Sequence, residues 1–221
     1  MVITSIEQPG SNPEGGRPKT QVLWTDPPIC LDFTNTLYYR SDSSKEKDSL
    51  NSYADLLAWC IQAGTLSDAE SQQLLREAES RLRDAAQALR RARRLRETIY
   101  RIFFAIAQGI PPNETDLVDL NAALARTVSK SRIVATNDVF TWTSQVDCDA
   151  LDRVIWPVIW SATDLLTSGG IRLVKHCAAS DCRSLFLDIS RNKKRRWCRM
   201  SSCGNRAKAR RHYHRLKGAA N

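Results

Sequence analysis

Four cysteines between positions 177 and 203 restrict the fold of this 221-residue chain more tightly than any other feature. Cys177 and Cys182 are separated by four residues, Cys198 and Cys203 by another four, and fifteen residues lie between the pairs. Two close pairs joined by a medium loop suit a tetrahedral metal site, because each pair can sit on a tight turn that aims two thiolates at one point. Four thiolates close the coordination sphere of one Zn2+ ion, so the expected metal is structural; a catalytic zinc would keep one position open for water. His176, His212 and His214 are alternative ligands by type, although four cysteines already suffice. Cys30, Cys60 and Cys148 lie far apart among apolar neighbours and read as core thiols.

The surroundings of the four cysteines support this reading. Residues 171–175 and 184–188 read as short strands, and 206–217 as a helix with Ala209, Tyr213 and Leu216 on one face. Strand, knuckle, strand, basic loop, second knuckle and helix compose a treble-clef-like or ribbon-like zinc finger over residues 171–221. Few large apolar side chains occur there, so metal is its expected source of cohesion, and zinc supplies about 10–16 kcal/mol in small fingers. Trp197 is expected to pack over the metal site.

Charge divides at the same place. Residues 171–221 hold 15 Lys and Arg against Asp181 and Asp188, a net +13, whereas the first 170 residues hold 18 basic and 22 acidic side chains, a net −4. A mildly acidic body with a strongly basic tail points to a polyanion, nucleic acid first and an anionic membrane surface second. No run approaches 18 apolar residues, so no membrane span is expected. The first sixteen residues lack a basic stretch followed by an apolar one, so no secretory signal is expected either. The expected location is the cytoplasm, at the nucleoid if DNA is bound, where clustered thiols stay reduced and bind metal.

Upstream of the finger, helical patterns dominate. Residues 1–20, rich in Gly, Pro and Ser, read as a flexible leader, and 21–168 as a mostly helical domain whose ordered core begins near Ile29. Ser52 with Asp55 caps a helix stopped by Gly64, and Ser67 with Glu70 forms a capping box. One or two helices then run to Gly109, and Asn113 starts another. Residues 133–142 predict a small β-hairpin about Asn137-Asp138. Residues 149–166 return to helix, kinked or divided at Pro157, and Gly169-Gly170 reads as a C-terminal cap. The fold class is therefore α+β: a predominantly helical N-terminal domain with a small β-hairpin, followed by the finger.

The run Cys177-Ala-Ala-Ser-Asp-Cys182, with Asp188-Ile-Ser-Arg-Asn192, Arg196-Trp-Cys-Arg-Met200 and Cys203-Gly-Asn-Arg206-Ala-Lys-Ala-Arg-Arg211, closely resembles the CGNR zinc-finger family. Leu31-Asp-Phe-Thr-Asn-Thr36 resembles the opening of the ABATE domain that precedes such fingers. The resemblance brackets most of the chain, with the middle alike only in helical character. It implies a bacterial stress-responsive transcription regulator whose N-terminal domain senses a signal and whose finger binds DNA.

Candidate nucleic-acid contacts follow from the basic residues. Arg191, Asn192, Lys193, Lys194, Arg195 and Arg196 form the loop before the second knuckle. Asn205, Arg206, Lys208, Arg210, Arg211 and Arg215 decorate the final helix, with the loop gripping phosphates and the helix at or in a groove. Arg90, Arg91, Arg93, Arg94 and Arg96 read as a solvated helix face. Asp32, Asn35 and Tyr39 offer either a polar ligand-binding cluster on one helical face or a structural hydrogen-bond network. The sequence lacks a Gly-rich phosphate loop, a nucleophile elbow and any histidine outside the finger region, so no enzyme is expected. Expected partners are double-stranded DNA and a small-molecule effector, with a homodimer compatible. Two rival readings are a zinc-stabilised RNA- or ribosome-binding module and an enzyme with its site in the helical domain. A third gives the finger a protein-interaction role.

Overall fold

The computed structural model describes residues 28–136, 139–144 and 150–218. The expected leader over 1–20, Cys148 and the Asn137-Asp138 turn lie outside the described residues. Pro28, with its φ of −55°, opens α1 (Ile29–Thr34). Five of its six residues are buried, so this short helix runs through the core instead of lying on it. A small antiparallel pair follows, β1 (Leu37–Tyr38) and β2 (Lys47–Asp48). The expected Ser52 cap and Ser67 capping box both form, each as a full capping box: Ser52 opens α2 (Tyr53–Gln62) and Ser67 opens α3 (Asp68–Ser80). Gly64 adopts the left-handed φ of 69° that lets the chain leave α2.

The long apolar periodicity resolves into two helices, because Arg81 leaves the helical region at φ −132°, ψ 51°. α4 (Leu82–Ala107), about 39 Å long at 1.5 Å per residue, is the spine of the body. Ala85, Ala88, Leu89, Ala92, Leu95, Ile99, Ile102 and Phe103 bury its apolar stripe, which recurs at three- and four-residue intervals. Asn113 accepts the Thr115 N–H at 2.8 Å to cap α5 (Glu114–Ser129). The hairpin β3 (Ser131–Thr136) and β4 (Val139–Ser144) pairs Ile133 with Trp142, and Trp142 stacks on Trp160 at 5.2 Å. Pro157 divides the next segment: a 3-10 turn (Leu151–Ile155) precedes α6 (Trp156–Thr167), with the proline in the first turn where no backbone donor is needed.

Two expectations fail here. Gly169-Gly170 does not cap α6; Ser168 ends it in an extended conformation, and its hydroxyl accepts the Gly170 N–H at 3.2 Å to start a second 3-10 turn (Gly169–Leu173). The serine side chain supplies a local acceptor, so no left-handed glycine is required. That turn also delays the first strand of the finger to β5 (Val174–His176), which pairs antiparallel with β6 (Leu185–Leu187). The arginine run on α4 is not uniformly solvated either. Arg96 is 3% exposed and donates to both carboxylate oxygens of Asp48 at 2.7 and 2.8 Å, while Arg93 binds the Leu50 carbonyl. Their acidic and carbonyl partners come from β2 and the turn after it, which sequence proximity could not reveal.

The core crosses the charge boundary. Val174, Leu185 and Leu187 are buried in the same apolar cluster as α1, α2, α4 and α6. Cys30 and Cys60 are in that cluster too, where burial pushes their thiols up to about 12 and about 11 and keeps them protonated. Among the described residues, no helix is long and apolar enough to cross a membrane.

Candidate metal centre and basic interface

Two tight turns bring the four cysteines together. The first closes the β5–β6 hairpin, where the Cys177 N–H donates to the Ser184 carbonyl at 2.8 Å and the Cys182 N–H to that of Ala179 at 3.1 Å. The second is a wide π-helical turn (Met200–Gly204) that runs directly into α7 (Asn205–Gly218). A Cβ at Gly204 would lie 2.4 Å from Met200 Sδ and 3.3 Å from Trp197 Cδ1, so this turn closes around glycine or displaces Met200. The Ala178 N–H donates to the Arg196 carbonyl at 2.9 Å and links the two knuckles. As expected, Trp197 packs against the cysteine cluster.

All four sulfurs lie within 4.8 Å of one another, with Cys182–Cys198 at 3.6 Å and Cys198–Cys203 at 3.7 Å. Zinc–sulfur bonds of about 2.3 Å in a tetrahedron put sulfurs about 3.8 Å apart, so the cluster fits one structural zinc ion. Hydrogen bonds from the Cys177 and Cys198 thiols hold Cys182 far below the usual thiol range. The same bonds leave the protons on their donors, pushing Cys177 up to about 11 and Cys198 far up. Four thiols this close ionise together only around a cation. Arg206 Nη2 lies 3.3 Å from Cys203 Sγ and adds a further positive charge. His176 turns its ring to Phe104, 5.2 Å between centroids, and does not join the sulfurs.

The basic loop hangs on Asp188, a residue whose role the sequence reading missed. Its buried carboxylate accepts from Lys175 Nζ at 2.6 Å, Ser190 Oγ at 2.5 Å, and the N–H groups of Ser190 and Arg195 at 3.1 and 3.0 Å. Burial alone would raise its pKa, but Lys175 and the other donors hold it down at about 2. The Asp-x-Ser spacing is a turn signal that could have exposed part of this role. Around that hub Arg191, Lys193, Lys194 and Arg196 are exposed, and Lys193 takes a positive φ of 51°. Asn192, also exposed, accepts the Lys194 N–H at 3.2 Å as a turn residue.

Arg195 departs from the expectation of a free cation. Its guanidinium donates to the Trp197 and Cys198 carbonyls and stacks over Phe186 at 4.7 Å, bracing the second knuckle from inside. Arg206 is likewise half-buried, 3.4 Å from Asp181. Asn205 is exposed and donates to the Ser201 carbonyl at 3.2 Å. Lys208, Arg210, Arg211 and Arg215 are exposed along α7. Of the expected apolar stripe on this helix, Ala209 is exposed and Tyr213 is 55% exposed, with Lys217 Nζ 5.0 Å from its ring.

Asp32, Asn35 and Tyr39 all line one cleft of about 740 Å³, but not as one helical face, because α1 ends at Thr34 and Tyr39 follows β1. Asn35 holds the finger to the body. Its Nδ2 donates to the Leu185 carbonyl at 2.8 Å and its Oδ1 accepts the Leu185 N–H at 3.0 Å, as a strand neighbour would. Ser41 Oγ donates to the Ser180 carbonyl at 2.5 Å, and Tyr100 Oη to that of Arg183 at 3.3 Å. Neither docking residue was legible from the sequence. The far wall of the cleft is formed by the finger, including Arg195, Arg199 and Arg206.

A helical body sharing its core with a four-cysteine, zinc-fitting module defines a zinc-finger protein. Residues 28–169 match the model of the ABATE family, described as "Putative stress-induced transcription regulator", and residues 173–216 match that of the CGNR zinc finger. The first match spans more than half of the chain, so the chain belongs to the ABATE family and carries a CGNR zinc finger after it. No curated protein matches the chain.

Proposed function

We propose that this protein is a zinc-stabilised, DNA-binding transcription regulator of the cytoplasm that responds to stress or to a ligand through its helical domain. It acts by binding, with no catalytic step. The observation that carries the reading is the exposure of α7. Lys208, Ala209, Arg210 and Arg211 are all exposed, and at 100° per residue these four positions span nearly the whole circumference. Exposure on every side at these positions, with five cations from Lys208 to Lys217, suits the B-DNA major groove, about 12 Å wide. Arg191, Lys193, Lys194 and Arg196 then lie on the phosphates beside it, and Asn205 and Arg206 sit at the base of the helix.

Affinity for a DNA duplex measured against salt tests this. With about six phosphates neutralised, log K should fall with log salt at a slope of about −5. Arg210→Ala should change sequence preference, whereas Lys194→Ala should weaken all sequences alike. Tighter binding to structured RNA than to duplex DNA at equal salt would overturn the DNA reading.

A further inference from the structure

The cleft between the body and the second knuckle has walls of opposite character. On the body side, Asp32 presents a half-buried carboxylate that accepts one hydrogen bond, from the Trp59 indole at 3.3 Å, and has no cationic partner among the described residues. Asp55 on the same wall is already engaged by the Asn51 and Ser52 N–H groups of its helix cap. On the finger side, Arg199 is exposed without an ion pair among the described residues, and Arg206 reaches Asp181 only at 3.4 Å. Tyr39 and the edge of the largely buried Trp59 also line the cleft. The cleft is about 740 Å³, within the ordinary range for small-molecule sites, and reaches the metal centre, since Cys182, Cys198 and Cys203 line it too. Asp32 and Arg199 have no ion-pair partner among the described residues, so a ligand supplying a counter-group to each gains charge-assisted hydrogen bonds at both.

We propose that this cleft is a binding site for a small aromatic molecule carrying an anionic group, held by Arg199 and Arg206, and an N–H donor, held by Asp32. The proposal rests on the regulator reading in treating that molecule as the effector. Because one wall is the finger itself, the ligand touches both the sensing body and the metal knuckle. Ligand and DNA must then alter each other's affinity by the same factor wherever they are coupled. An aromatic amino acid and a nucleoside monophosphate share the required chemistry, one with a carboxylate and the other with a phosphate.

Calorimetric titration of the full-length, zinc-loaded protein without DNA tests the site. GMP and L-tryptophan serve as aromatic probes, with inorganic phosphate and acetate as their anion-only counterparts. At least one aromatic probe should bind with one-to-one saturation, at least tenfold more tightly than its counterpart. Which one does so identifies the anionic group. Asp32→Asn and Arg199→Ala should each weaken that binding roughly tenfold or more, since each removes a charged hydrogen-bonding partner. Both aromatic probes binding no better than their counterparts would overturn the proposal, as would either variant binding as tightly as the wild type. Duplex affinity is measured separately. Its loss with ligand binding retained would defeat the regulator reading, whereas failed ligand binding with duplex affinity intact would defeat the cleft alone.

Discussion

Chelation of zinc should dismantle the finger in two unequal parts. Beyond Leu187 the described chain buries no apolar side chain except that of Cys203, so nothing replaces the metal there. α7, fourteen residues and dense in cations, is at the length where isolated helices are marginal in water. It should therefore melt once the roughly 10–16 kcal/mol of zinc binding is withdrawn. β5 and β6 have other support. Val174, Leu185 and Leu187 are 4%, 1% and 0% exposed within the body's core, worth about 1.5–3 kcal/mol each, or about 5–9 kcal/mol together. The Asn35 amide adds two hydrogen bonds to Leu185, about 1–3 kcal/mol. Against this stands the ordering of six strand residues, about 6–12 kcal/mol. The sums are comparable, so the hairpin should stay docked but open locally more often. Hydrogen exchange resolved to single amides, with and without a chelator, provides the assay. The Leu185 and Asp188 N–H groups should lose only part of their protection, those of α7 nearly all, and those of α4 none. Equal loss across β5, β6 and α7 would show that residues 171–218 unfold as an independent unit and refute the shared-core argument. Retention of helix in α7 would refute the assignment of its stability to zinc.

Other perturbations separate residues that look alike in sequence. Asp188→Asn should destabilise the finger by about 2 kcal/mol at neutral pH, because its carboxyl falls from 3.8 to about 2 on folding. A depressed carboxyl stabilises above its unfolded pKa and loses that effect as pH falls towards 2; equal denaturation midpoints for variant and wild type at pH 7 would contradict this. Arg195→Ala should lower stability and zinc retention through its two carbonyl contacts, while Lys194→Ala should leave both unchanged and flatten the salt dependence of DNA binding; the opposite pattern would reverse their assignments. Arg96→Ala should cost about 1–3 kcal/mol in urea unfolding, because Asp48 loses both guanidinium hydrogen bonds but keeps Arg93 at 3.5 Å and the Leu50 N–H, and an unchanged urea midpoint would contradict this.

The shared core also bears on how a signal sensed by the body, as proposed, would reach the finger. A finger on a loose tether could respond to the body only through changes in effective concentration. Here the Asn35–Leu185 pairing, the Ser41–Ser180 contact and the buried faces of β5 and β6 fix the first knuckle to α1 and α4. Movement at the body's end of the cleft therefore meets a packed surface, not a linker, before it reaches the cysteine cluster. Packed interfaces of this kind favour discrete rearrangements over continuous bending.

Much was legible in the sequence because its signals are local. Ser52 and Asp55, or Ser67 and Glu70, meet across one helical turn, so their spacing alone places the helix starts. The cysteine pairs are equally local within each knuckle, and the chemistry of zinc supplies the reason to join them. The charge asymmetry needs no fold at all. Tertiary structure decided the roles that depend on partners far along the chain. Asn35 meets Leu185 across 150 residues, Arg96 meets Asp48 across 48, and Arg199 lines the same cleft as Asp32 only because α1 and the second knuckle flank it. A polar side chain's chemistry is set by its type, but its role is set by which donor, acceptor or charge packing brings within about 3 Å. That is why Lys194 and Arg195, adjacent and both cationic, end up on opposite sides of the loop, one facing solvent and the other bracing the metal knuckle.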